Sequence, residues 1–102
     1  MPKIYEYFGI YLLFYSNDHE PIHVHAITKD GREMKVTFHI KNSKITRIVY
    51  QDVKGKKSLT KPQLKNLKNL VQQEKLQIVN AWIKFFILKD RIKLRKITKK
   101  IK

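Results

Sequence analysis

The sequence predicts an α+β fold: an antiparallel β-meander of about four strands followed by two C-terminal helices packed on one face. Three observations predict it. The segment from Tyr5 to Tyr15 is dense in aromatic and branched side chains, which favour strands. Asp30-Gly31 lies between two alternating segments, a strong short-range hairpin signal. Past residue 60 the apolar spacing changes from two to three and four, the period of a helix packed on one side.

Each element has its own warrant. Tyr5 to Tyr15 carries apolar groups on both alternating faces, with Phe8, Ile10, Leu12 and Phe14 on one and Tyr5, Tyr7, Tyr11, Leu13 and Tyr15 on the other. That pattern suits one strand covered on both sides. A polar turn, residues 16–21, leads to a second strand at Ile22 to Thr28. Read as a two-residue type I′ turn, Asp30-Gly31 sets Ile27 opposite Met34, His25 opposite Val36 and His23 opposite Phe38. His23 and His25 then point to the apolar face, toward the helices, and His39 to the other; a slip of one residue inverts every assignment. Lys41-Asn42-Ser43-Lys44 is a further turn, before a last strand at Ile45 to Tyr50.

Thr60 and Gln63 have the spacing of a capping box, and Leu59 and Leu64 that of a hydrophobic staple, so a helix starts at about Lys61. Pro62 is tolerated in its first turn, where its missing N–H has no intrahelical acceptor. Leu64, Leu67, Leu70 and Val71 form one apolar stripe; Ile78, Val79, Trp82, Phe85 and Phe86 form another. The polar run Gln72-Gln73-Glu74-Lys75 between them predicts a break near Gln73 and hence two helices. Beyond Asp90, RIKLRKITKKIK fits a basic helix or a frayed tail. The chain of 102 residues is long enough for one domain with a modest core. We place that domain at residues 1–90, with 91–102 a basic C-terminal extension.

Composition narrows the function classes. There is no cysteine, which excludes disulfides, thiolate metal sites and a cysteine nucleophile. The first residues lack the order of a signal peptide, and the longest apolar run, Ile10 to Tyr15, is too short to span a bilayer. A cytoplasmic protein with no membrane span is expected. The net charge is +15, and it is unevenly placed. Residues 1–50 carry seven basic and five acidic side chains, against sixteen and three in residues 51–102. Between Lys84 and Lys102 nine basic groups face one acid, Asp90. That density makes Lys84, Lys89, Arg91, Lys93, Arg95, Lys96, Lys99 and Lys100 the candidate contacts for RNA or DNA. A solubilising, AT-rich-codon surface is the competing account, since nineteen of the twenty-three basic residues are Lys.

The other concentration of chemistry is Asn17-Asp18-His19-Glu20-Pro21-Ile22-His23-Val24-His25. On a strand, His23 and His25 share a side, and Asp18 or His19 in the preceding turn could complete a divalent transition-metal site. The sequence makes no cofactor certain beyond that candidate metal. Without metal, His19, His23 and His25 are candidate general acids and bases for cleaving a phosphodiester. The structural alternative has Asp18 capping the turn and the histidines bonded to backbone or stacked on Trp82.

Phe8-Gly9-Ile10, the run NDHEPIHVHA and the later Trp82 resemble the DUF4160 family of small bacterial proteins, with its N-D-H-x-P-P-H-F-H core. The likeness covers about residues 2–86. It departs at Ile22, where the family carries a second Pro, and at Val24, where it carries Phe, and the basic tail is longer. The resemblance implies a toxin–antitoxin-like arrangement with a small partner protein encoded nearby, and assigns no reaction. Two functions follow from the sequence. One is a small basic nucleic-acid-binding protein; the other is a metal-dependent or His acid–base ribonuclease or phosphodiesterase built on Asp18, His19, His23 and His25.

Overall fold

The computed structural model describes residues 3–14, 22–89 and 94–101. Among these, six strands form one sheet: β1 (Lys3–Tyr7), β2 (Ile10–Leu13), β3 (His23–Thr28), β4 (Glu33–Lys41), β5 (Lys44–Asp52) and β6 (Arg95–Ile97). Their spatial order is β5-β4-β3-β2-β1-β6. Strands β1 to β5 pair antiparallel with their neighbours, and β6 lies parallel to β1. One helix stands among the described residues, α1 (Lys61–Phe86), and it supplies most of the remaining core. The α+β class holds, but the sheet has six strands where about four were expected, and one helix stands where two were expected.

The first difference arises at Phe8-Gly9. Their φ angles of +44° and +80° are those of a two-residue type I′ turn, which breaks the single expected strand into β1 and β2. The hairpin folds Tyr5 opposite Leu12 and Tyr7 opposite Ile10, and all four side chains are buried. Lys41 pairs with Lys44 across Asn42-Ser43, a second turn with two positive φ values, where the sequence placed it.

The β3–β4 hairpin is shifted by one residue from its expected register. His23 faces Thr37, Val24 faces Val36 and His25 faces Lys35. The loop has three residues, Lys29 to Gly31: the Thr28 N–H donates to the Arg32 carbonyl at 2.9 Å and the Gly31 N–H to the Thr28 carbonyl at 3.0 Å. Gly31 alone in this loop has positive φ, +86°, as in a type I turn closed by a left-handed glycine. Asp30 favours this loop by accepting from the Thr28 hydroxyl and from Arg32 Nε. Val24 and Ala26 therefore enter the core with Val36 and Met34, and His23 and His25 point to the sheet face away from α1.

Helix α1 begins as expected. Thr60 caps it, its hydroxyl accepting from the Gln63 N–H at 3.3 Å while the Gln63 side chain accepts from the Thr60 N–H at 2.9 Å. It then runs unbroken through the polar stretch. Glu74 is why: it occupies the core-facing stripe Leu67, Val71, Glu74, Ile78, Trp82. The Tyr5 hydroxyl donates to it at 2.8 Å and Arg95 pairs with it at 3.1 Å. Trp82 and Phe86 pack against each other, and Phe14 against both Phe85 and Phe86, making these aromatics core.

Arg95 belongs to the segment expected as helix or frayed tail. Residues 95–97 instead form β6, with Arg95 and Ile97 beside Tyr5 and Tyr7. Ile97 packs on the core, and the Ile101 N–H donates to the Tyr7 hydroxyl at 2.8 Å. No helix among the described residues is long and apolar enough to cross a membrane.

Candidate functional site

The histidines come first because their spacing is the more specific signal. Alternation along β3 puts His23 and His25 on one side of the strand, with ring centroids 5.4 Å apart. The shifted register brings a carboxylate into reach: His25 Nδ1 lies 3.1 Å from Glu33 Oε2. Glu33 sits one alternate position from Lys35, the residue directly facing His25. Sequence reasoning missed Glu33, because the two-residue turn assigned it to the opposite face from the histidines. A carboxylate on one ring nitrogen orients the imidazole, fixes its tautomer and raises its basicity. Both partners are largely covered, His25 being 9% and Glu33 5% exposed. Asp18 and His19 lie outside the described residues. Among the described residues no three His, Asp or Glu side chains gather as a metal site.

The basic candidates divide into groups. Lys84 is exposed near the C-terminal end of α1, with Lys89 just beyond it. Lys99 and Lys100 are exposed past β6. Arg95 is engaged with Glu74, and Lys96 pairs with Glu6 at 3.4 Å. Arg91 and Lys93 lie outside the described residues. Because Lys100 packs beside the first turns of α1, it is separated from Lys84 by most of the helix, about 28 Å along its axis from Lys65 to Lys84.

What Lys100 joins is a set the sequence reading passed over. Lys61, Lys65 and Lys68 are exposed on α1, and their spacing of four and three places them on one helical face. A depression of about 470 Å³ between this face and the C-terminal segment is lined by Pro62, Lys65, Asn66, Asn69, Lys100 and Ile101. A second, of about 360 Å³, continues along the helix past Lys61, Lys65 and Lys68. The signal was present in the chain as Lys at 61, 65 and 68 with Asn at 66 and 69. It was hidden by the denser run near the terminus.

The family model described as "Domain of unknown function (DUF4160)" matches residues 9–83. No curated protein and no solved structure matches the chain.

Proposed function

The chain belongs to the DUF4160 family, whose description carries no activity, and from its own geometry we propose that it binds nucleic acid through the basic face of α1 and the C-terminal segment. The observation that carries this reading is the convergence of Lys61, Lys65, Lys68 and Lys100 with Asn66 and Asn69 along adjoining depressions. Ammonium groups gathered on one face offer contacts to phosphates, and the amides offer donors to sugar or base edges. Each neutralised phosphate releases counterions, so affinity falls steeply with salt. Gel-shift titration of labelled RNA and DNA at low and moderate salt tests it. Salt-sensitive binding that is lost in the Lys61→Ala/Lys65→Ala/Lys68→Ala variant is expected. Absence of binding at low salt, or full binding by the triple variant, overturns it. The reading includes a small partner protein in a toxin–antitoxin-like pair, tested by co-purification with the product of the neighbouring gene.

A second reading rests on the His25–Glu33 pair beside His23. One imidazole would take the proton of a ribose 2′-OH as that oxygen attacks phosphorus. The other would protonate the departing 5′-oxygen. Loss of RNA cleavage in His25→Ala with binding retained supports it. Cleavage that survives His25→Ala sinks it, and chelator sensitivity assigns the site to metal.

A further inference from the structure

We propose that the nucleic acid is engaged as a single strand and that Phe8 is its stacking platform, an inference that rests on the binding reading above and names its ligand class. Phe8 is 51% exposed at the tip of the β1–β2 hairpin. Its φ of +44° lies in a region that a type I′ turn fills with Asn, Asp or Gly and that bulky residues avoid. The turn would therefore close more easily with Asn. The ring meets Tyr7 edge-on at 4.9 Å and carries the Lys100 ammonium near one face, yet Phe8 stays about half exposed. Neither turn chemistry nor core packing accounts for an aromatic here, and strain held at an exposed position points to a use for the side chain.

The surroundings are cationic. Lys100 Nζ lies 4.7 Å from the Phe8 ring centroid. A depression of about 310 Å³ at the turn is lined by Glu6, Phe8, Gly9, Lys29, Lys96, Ile97 and Thr98. Glu6, the acid in it, is paired with Lys96, so Lys29 and Lys100 leave the site positive. Lys100 also lines the depression against Lys65, Asn66 and Asn69. One side chain thus connects the exposed ring to the basic face of α1. A backbone tracking the lysines of α1 would pass Lys100 and bring a base over Phe8. In a duplex the base faces are occupied by neighbouring pairs, so an isolated ring of this kind gains most from an unpaired base.

The test compares a single-stranded oligonucleotide of about twelve nucleotides with the duplex of the same length. Phe8→Asn suits the turn backbone, so the variant is expected to fold with an unchanged or higher Tm. Its affinity for the single strand should fall about tenfold while duplex affinity stays the same. Phe8→Trp should retain single-strand affinity, and its added fluorescence should be quenched on binding. If Phe8→Asn binds the single strand as wild type does, or loses both ligands equally, the stacking proposal fails while the binding reading stands. If wild type binds neither ligand at low salt, the binding reading fails and takes the proposal with it.

Discussion

Two tyrosines show how burial is used at single positions. The Tyr50 hydroxyl is buried without a hydrogen-bond partner among the described residues, and burial pushes its pKa up to about 12. The Tyr5 phenol is raised well above its ordinary range, first by burial and then by its bond to the Glu74 carboxylate. For both, the folded pKa exceeds the unfolded value near 10. The stability tied to the neutral phenol is therefore complete below about pH 10 and lost as pH rises through the folded value. Urea midpoints measured from pH 8 to 12 should hold steady and then decline above about pH 10, and Tyr50→Phe should lessen that decline. At neutral pH the same substitution removes an unsatisfied buried hydroxyl, so it should be neutral or stabilise by about 1 kcal/mol. A clear loss of stability in Tyr50→Phe would mean that the hydroxyl is bonded.

Among elements, β6 is tied to the helix by a specific polar contact. Arg95 bonds both Glu74 and the Tyr5 hydroxyl, joining the last strand to the middle of α1. Its side chain is 59% exposed and that of Glu74 is 11% exposed, so solvent screens the pair and Arg95→Ala should cost only about 1 kcal/mol. In a Glu74→Gln background the cost should shrink, because the ion pair is already gone; equal costs in both backgrounds would remove this account of β6. Thr60→Ala should cost about 1 kcal/mol by deleting the α1 cap, read from the same denaturation curves. The Thr60 cap was legible in the sequence because it depends on residues three apart, and the Asn42-Ser43 turn was legible for the same reason. The continuity of α1 was not, since Glu74 reads as a polar interruption until Tyr5 and Arg95, sixty-nine and twenty-one positions away, are known to meet it. Strand β6 has three residues and a parallel partner at the other end of the chain, which local pattern cannot supply. At the candidate site, His23 and His25 were correctly paired on one side of a strand. Asp30-Gly31 announced a hairpin but not whether its loop held two residues or three, and that single residue decided which face the histidines occupy and hid Glu33.

At the scale of the whole molecule, a charge of +15 works in two directions. It repels itself in the compact state, and it attracts a polyanion. Added salt screens the repulsion and also competes with phosphate binding. Fold stability should therefore rise, and nucleic-acid affinity fall, across the same salt series, provided the charge is a binding surface and not only a solubilising one. A purely solubilising charge predicts the first trend without the second. The slope of log affinity against log salt then locates the surface, because each lysine that meets a phosphate contributes about one to it. Lys65→Ala/Lys68→Ala should lower the slope by about two and weaken all sequences alike. Lys84→Ala/Lys89→Ala removes the same formal charge from the far end of α1, so a general field effect would make the two double variants equal. If the slope instead follows Lys84 and Lys89 alone, the nucleic acid runs along the C-terminal end of the helix, and the groove beside Lys100 is not its path.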